Sequence, residues 1–250
     1  MSGLVAFARF EVGRLLRSWR FLLITVGFPV VFYMLFLGDH RQGELIGGTV
    51  EWRVYLMISM CSFGSLVGGL TAAGGRLSAE RSSGWARQLR VTPLPAWSYV
   101  ATKVAATMVV IAPVIVLVEV VGAAFGGVAL PAGTWVGLAA VMWLGALPFA
   151  VLGVLIGFSV HAETAFPVVT ALMFLLGYFG GLFTPVTSMP DTLQTVARAL
   201  PSFHHAAMGV GVADGRGIAA EHWLVLAGYV AVLSAAVILK HRLEESRGLA

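Results

Sequence analysis

Long uninterrupted runs of apolar residues alternate with short polar segments along this chain of 250 residues. Six of the runs are long enough to cross a bilayer as helices, because about 20 apolar residues span its hydrocarbon core. The pattern therefore predicts an all-α integral membrane protein with six transmembrane helices, in which residues 1–250 form a single transmembrane domain. The predicted spans cover residues 21–38, 54–75, 99–125, 134–158, 164–183 and 222–239.

Composition supports a membrane protein over a soluble one. Hydrophobic residues make up 58% of the chain and charged residues only 11%, whereas soluble domains carry about 25% charged residues. The single cysteine, Cys61, lies inside an apolar run and cannot form an intrachain disulfide. We therefore expect it to be a small packing residue.

The basic residues predict how the chain is oriented in the membrane. With both termini in the cytoplasm, twelve of the 16 Lys and Arg residues lie on the cytoplasmic side of the predicted spans. This asymmetry follows the positive-inside rule and predicts a multi-pass protein of the cell membrane. The excess of Arg over Lys, 14 to 2, together with abundant Ala, Gly and Val, favours a bacterial source. The excess positive charge follows the membrane, so it does not indicate nucleic-acid binding.

Two further segments are predicted to lie at the membrane surfaces. Residues 1–20 have the period of an amphipathic helix, with apolar and Arg side chains on different sides. This favours a helix in the inner interface that contacts anionic lipid, over a plain basic flank that only fixes topology. Residues 184–215 hold three prolines and two short apolar helical pieces. They predict a re-entrant hairpin on the outer side, between spans five and six.

No constellation of an enzyme is present in the sequence. The GxxxxGK[ST] phosphate loop is missing, so we expect no ATP hydrolysis by this chain. The adjacent His204 and His205 do not have the spacing of metal ligands, and we expect them on a helix surface or at the interface rather than at a metal site.

Glu119 is the one acid inside a predicted span. Intramembrane acids usually face a cavity or a partner, but Glu119 lies about 30 Å along its helix from the inner end. Both a cavity-lining and an outer-interfacial position stay open. Aromatic residues of the spans are further candidates for a substrate path, with lipid contact or packing as the alternative for each: Phe32, Phe36, Phe174, Tyr178 and Phe179.

A protein with one intramembrane acid and no ATP site has little means of driving transport alone. Residues 76–98 form a charged cytoplasmic loop between spans two and three, which is a natural place for an energy-supplying partner to dock. Trp85 and Leu89 offer apolar anchors among arginines, as interface hot spots do, and Gly84 and Pro93 bound the unit. The alternative is that the arginines only obey the positive-inside rule.

The same loop carries a family resemblance. The stretch LSAERSSGWARQLRVTPLPAWSYVATK resembles the segment between the second and third spans of ABC-2 type transporter permeases. The matching residues are Glu80, Arg81, Gly84, Leu89, Arg90, Thr92, Pro93, Leu94 and Lys103. The stretch GLFTPVTSMPDTLQTVARALPSFH resembles the family's segment between spans five and six. One departure is Ser82, where the family often has a second acid.

The resemblance implies a transmembrane subunit that works as a homo- or heterodimer with two separate ATP-binding subunits. ATP and Mg²⁺ would then bind to the partner, and this chain would bind no cofactor. Residues 80–90 would form a coupling helix that seats in a groove of the ATPase, helped by His161 and Glu163 of the next inner loop.

Three functions remain as hypotheses. The first is the permease of an ATP-driven exporter of hydrophobic or amphipathic compounds, such as drugs or antibiotics. The second, within the same family, is an exporter of a lipid-linked glycan or another polymer. The third, from a different class, is a membrane anchor or sensor that transports nothing.

Overall fold

The computed structural model describes residues 23–38, 44–75, 77–79 and 96–247, together with Gly13. The predicted interface helix at 1–20 lies outside this part of the chain, Gly13 apart. The described elements are almost all helical. The helices are α1 (Phe28–Leu37), α2 (Trp52–Gly69), α3 (Ala96–Ala124), α4 (Ala132–Gly145), α5 (Leu147–Ser159), α6 (Ala162–Phe179), α7 (Asp191–Ala199), α8 (Pro201–Ala213) and α9 (Ala220–Arg247).

Five helical stretches in the described residues are long and apolar enough to cross a membrane. They coincide with predicted spans two to six and run over Trp52–Ala79, Val100–Ala124, Ala132–Ser159, Ala162–Phe179 and Ala220–Lys240. The first predicted span coincides with a shorter apolar helix, Thr25–Leu37. The six-span count therefore stays a prediction.

Helix α2 lies at the centre of the bundle. All of its residues except Arg53 and Tyr55 are buried, and it packs against α1, α3, α5, α6 and α8. Three serines and three glycines among its 18 residues explain this position, because small side chains let helices approach closely on every side.

A close backbone approach joins the end of α2 to α5. A side-chain carbon added to Gly69 would lie 2.7 Å from the backbone carbonyl carbon of Phe149. One added to Gly153 would collide with the carbonyl oxygen of Gly69. Both positions therefore require glycine, and the two backbones are in direct contact.

At its other end, α2 follows directly on a small β-hairpin. This hairpin departs from the all-α prediction. Strands β1 (Leu45–Ile46) and β2 (Val50–Glu51) pair antiparallel through a turn at Gly47 and Gly48. Both glycines have positive φ angles, 61° and 71°, and residues with a side chain rarely adopt such angles. We call this end of the bundle the outer end, after the predicted topology.

Helices α7 and α8, the α7–α8 segment, also lie at the outer end, within the stretch predicted to be re-entrant. They contain 9 and 13 residues, which at 1.5 Å per residue reach only about 14 and 20 Å. Neither helix can cross a hydrocarbon core of about 30 Å alone. The structure thus agrees with two short helical pieces, and their depth in the membrane stays a prediction.

Candidate functional site at the outer end of the bundle

The fourth span is broken into α4 and α5 at Ala146. Its backbone N–H donates to the carbonyl of Trp143, at 3.2 Å, instead of to that of Met142, as a continued α-helix would require. Pro148 two residues later has no N–H to donate. The Met142 carbonyl is therefore left without its intrahelical donor inside the bundle.

His205 of α8 supplies the missing donor. Its Nε2 lies 2.7 Å from the Met142 oxygen, and a carbonyl can only accept, so this nitrogen carries the proton. Complete burial lowers the pKa of His205 to about 4, which keeps the ring neutral at physiological pH. Its Nδ1 then accepts from the Ser62 hydroxyl of α2, at 3.0 Å. One imidazole therefore ties α8 to both α2 and α4.

The space around His205 is shaped to hold the ring. Its imidazole packs edge-on against Phe149, with ring centres 5.3 Å apart and planes at 88°. Gly145 leaves room on the other side, because an added side-chain carbon would lie 2.7 Å from His205 Cδ2. The ring position is thus fixed by packing as well as by its two hydrogen bonds.

Hydroxyl groups fasten the outer end at helix termini. Ser202 of α8 donates to the Leu176 carbonyl near the end of α6, at 2.6 Å. Tyr229 of α9 donates to the carbonyl of Ala199, the last residue of α7, at 2.7 Å. The α7–α8 segment is therefore bonded to α6 and α9 in addition to α2 and α4.

A second histidine joins α8 to α9. His204 Nε2 lies 2.8 Å from the Arg198 carbonyl, and its Nδ1 lies 2.8 Å from Nδ1 of His222. The sequence predicted surface or interfacial positions for His204 and His205, but both side chains are buried. Their place in the apolar piece 203–212, next to Gly209 and Gly211, was the available signal for burial.

Only the second part of the predicted coupling site falls within the described residues. The residues predicted for the docking helix and its turn lie outside them: Glu80, Arg81, Gly84, Trp85, Leu89, Arg90, Thr92 and Pro93. His161 and Glu163 are both exposed at the start of α6. The carbonyl of His161 accepts the first N–H bonds of that helix, so both side chains stand at its N-terminus.

Glu119 is buried on α3, with 6% of its surface exposed. Its Oε1 has no hydrogen-bond partner among the described residues, and Gly122, three residues further along α3, packs against Met57 of α2. Glu119 thus faces the interior of the bundle between α2 and α3.

The aromatic candidates do not converge on one surface. Phe32 packs among Phe28 and Phe183, with ring centres 4.4 and 5.9 Å away. Phe36 follows it along α1 and is partly exposed. On α6, Phe174 and Tyr178 are exposed on the outside of the helix, and Phe179 contacts Tyr178. The structure does not bring the two groups together as the wall of one path.

Comparisons with known proteins assign this architecture to a family. A family model described as "ABC-2 family transporter protein" matches residues 49–239, which cover the five long apolar helices of the described residues except for Lys240 at the end of the last one. The chain is also 30% identical over 220 residues to a protein of Bacillus subtilis (strain 168) named "Putative transport permease YvfS". The alignment covers 88% of this chain and 89% of that protein.

Proposed function

Because the chain belongs to the ABC-2 family of transporter proteins, we propose that it is the transmembrane subunit of an ATP-driven exporter. Its cargo would be hydrophobic or amphipathic compounds of the drug or antibiotic class. Two copies of a separate ATP-binding subunit would supply the energy, and ATP and Mg²⁺ would bind there. The protein would lie in the bacterial cell membrane with both termini in the cytoplasm.

The observation that carries the proposal is the family match across five long apolar helices. The sequence adds that the chain has no phosphate loop of its own and one charged loop at 76–98 on the predicted inner side. An energy source on another chain and a docking loop for it fit together. His161 and Glu163, exposed at the start of α6, would form the second part of that contact.

A dimer of permeases fits the uneven burial of the helices. The apolar helices α6 and α9 are the least covered of the long spans, with Phe166 and Leu224 at 75% and 71% exposure. In a bilayer such faces are covered by lipid or by a second permease, homo- or heteromeric. Cross-linking between permeases through a cysteine placed at Phe166 would indicate a second permease at this face, and no cross-linking would indicate lipid.

The coupling part of the proposal can be tested with a charge-matched pair of variants. Arg90→Glu and Leu89→Asp alter the predicted docking helix. Arg247→Glu makes the same charge change as Arg90→Glu, but at the end of α9 on the same predicted side. We expect the first two to abolish co-purification of the ATP-binding subunit and ATP-dependent efflux of rhodamine 6G, and the third to preserve both.

The results also separate the alternatives. If Arg90→Glu and Leu89→Asp behave like Arg247→Glu, the coupling assignment is wrong. Efflux that persists without ATP would indicate a secondary transporter. A membrane anchor or sensor would show no flux at all, with or without Glu119→Gln. Export of a lipid-linked glycan in place of rhodamine 6G would favour the polymer hypothesis.

A further inference from the structure

A cavity of about 380 Å³ lies at the outer end, partly open to the surface. Its wall is formed by the β-hairpin, the start of α2, the connection after α6, one face of α8 and the connection to α9. None of the residues predicted for the substrate path lines it. Its volume falls within the range of small-molecule sites, about 300 to 1,000 Å³.

The charges on the wall compensate each other. Asp214 Oδ1 accepts from the backbone N–H of Arg216, at 2.9 Å, and its Oδ2 pairs with Arg216 Nε, also at 2.9 Å. The rest of the Arg216 side chain is largely exposed. Most other lining residues are apolar, among them Val50, Val186 and Phe203. The wall therefore favours an uncharged, mainly apolar molecule.

Two of the three hydroxyl groups on the wall, those of Tyr55 and Thr49 but not that of Thr187, have already donated their protons. Tyr55 donates to the Gly181 carbonyl at 2.5 Å, and Thr49 donates to the Ile46 carbonyl at 3.2 Å. Each hydroxyl oxygen still has lone pairs that can accept. Toward a bound molecule, these two side chains are therefore acceptors of hydrogen bonds.

His222 is fixed as an acceptor by its neighbours. The Arg198 carbonyl requires the proton of His204 on Nε2, so Nδ1 of the neutral His204 ring is an acceptor. Nδ1 of His222, 2.8 Å away, must then carry its proton, which leaves Nε2 of the neutral His222 ring as an acceptor. Among the described residues, the nearest carboxylate is that of the exposed Glu221, which is 3.9 Å away and beyond hydrogen-bond distance.

We propose that the outer cavity is a binding site for a small, uncharged, mainly apolar molecule that brings its own O–H or N–H donor, with His222 Nε2 as one acceptor. The site is reached from the outer side and is separate from the coupling loop. It goes beyond the exporter proposal, since binding there requires neither ATP nor the ATP-binding subunit.

Cysteine protection in whole cells tests the site. Ala207 lines the cavity on α8, and the native Cys61 is fully buried, so Ala207→Cys provides one reactive thiol. A membrane-impermeant sulfonated maleimide should label it from outside. Thr195→Cys, on the exposed side of α7 and away from the cavity, is the control whose labelling the probes should not change.

Two probes that differ by one donor measure the role of the hydrogen bond. We expect 4-tert-butylphenol to protect Ala207→Cys at about three- to tenfold lower concentration than 4-tert-butylanisole, since a net hydrogen bond is worth about that factor. The ether is the more apolar molecule. Equal protection by both probes, or better protection by the ether, would show that the probes only partition into apolar surroundings, and it would overturn the proposal. A failure to label Ala207→Cys from outside would overturn it as well.

A matched pair of variants then tests His222 itself. In His222→Asn the amide can still donate to His204 but has no group at the position of Nε2. In His222→Gln the amide oxygen can reach that position. We expect His222→Asn to lose the preference for the phenol, and His222→Gln to keep most of it. A preference unchanged in His222→Asn would contradict the assignment. An unaltered elution volume of each variant in size-exclusion chromatography in detergent checks that it is folded.

Discussion

His205 offers the sharpest test of how the outer end is held together. The informative substitutions are His205→Phe, which keeps an aromatic ring but removes both hydrogen bonds, and His205→Gln, whose amide N–H can still reach the Met142 carbonyl. The two variants differ mainly in whether that carbonyl keeps a donor.

The expected magnitude follows from the two partners. Without His205, the Ser62 hydroxyl can donate to a carbonyl of its own helix, as Ser65 does to the Cys61 carbonyl at 2.8 Å. Losing the bond between His205 and Ser62 therefore costs little. The Met142 carbonyl has no alternative partner of this kind, because the Ala146 N–H that would pair with it donates to the Trp143 carbonyl instead. A buried polar group left unpaired costs about 1–3 kcal/mol. We therefore expect about that loss for His205→Phe and less than about 1 kcal/mol for His205→Gln.

Reversible unfolding of the purified chain in mixed micelles, followed by far-UV circular dichroism during titration with sodium dodecyl sulfate, gives the free energy of unfolding. Equal losses for the two variants would refute the role of the Met142 carbonyl. A loss in His205→Phe below about 1 kcal/mol would refute it as well, because it would be smaller than the cost of a buried carbonyl left unpaired. Ser62→Ala should be close to wild type in the same titration.

Two further predictions use the same unfolding assay. Gly153→Ala should destabilise the protein by about 1–3 kcal/mol through overpacking against Gly69, whereas Gly228→Ala on α9, with open space around it, should be neutral or stabilising; equal effects would disprove the close contact. Trp143→Phe should cost about 0.5–1.5 kcal/mol, because its Nε1 donates to the Met108 carbonyl at 2.7 Å. Trp223→Phe should cost less, because Trp223 is similarly exposed but makes no hydrogen bond among the described residues.

The spans could be predicted because hydropathy and length are properties of each segment alone. Predicted spans 99–125 and 222–239 agree with Val100–Ala124 and Ala220–Lys240 to within a few residues. Nothing beyond the local sequence was needed, since a helix in lipid satisfies its own backbone. The β-hairpin at 45–51 was not predicted, because two residues per strand are too few to show an alternating pattern.

The polar contacts of the candidate site could not be predicted, because they depend on which helices are neighbours. His205 bonds to Met142, which is 63 positions away in the sequence, and to Ser62, which is 143 positions away. No local pattern indicates such partners. The break at Ala146 was foreshadowed only by Pro148 inside an apolar run. The sequence does not decide whether Glu119 lines a cavity or lies at the outer interface. The length of a helix fixes neither the rotation of the helix about its axis nor its neighbours.

The outer end shows why buried polar side chains are compatible with so apolar a protein. Three polar side chains there donate to a carbonyl at a helix end or break. The buried Ser202 donates to Leu176 in the last turn of α6, the buried His205 to Met142 beside the α4–α5 break, and the half-buried Tyr229 to Ala199 at the end of α7. A polar side chain alone in an apolar interior would be costly, and so would an unpaired carbonyl. Placed together they offset each other's cost. The irregular backbone of the α7–α8 segment and the polar side chains bonded to it therefore stabilise each other.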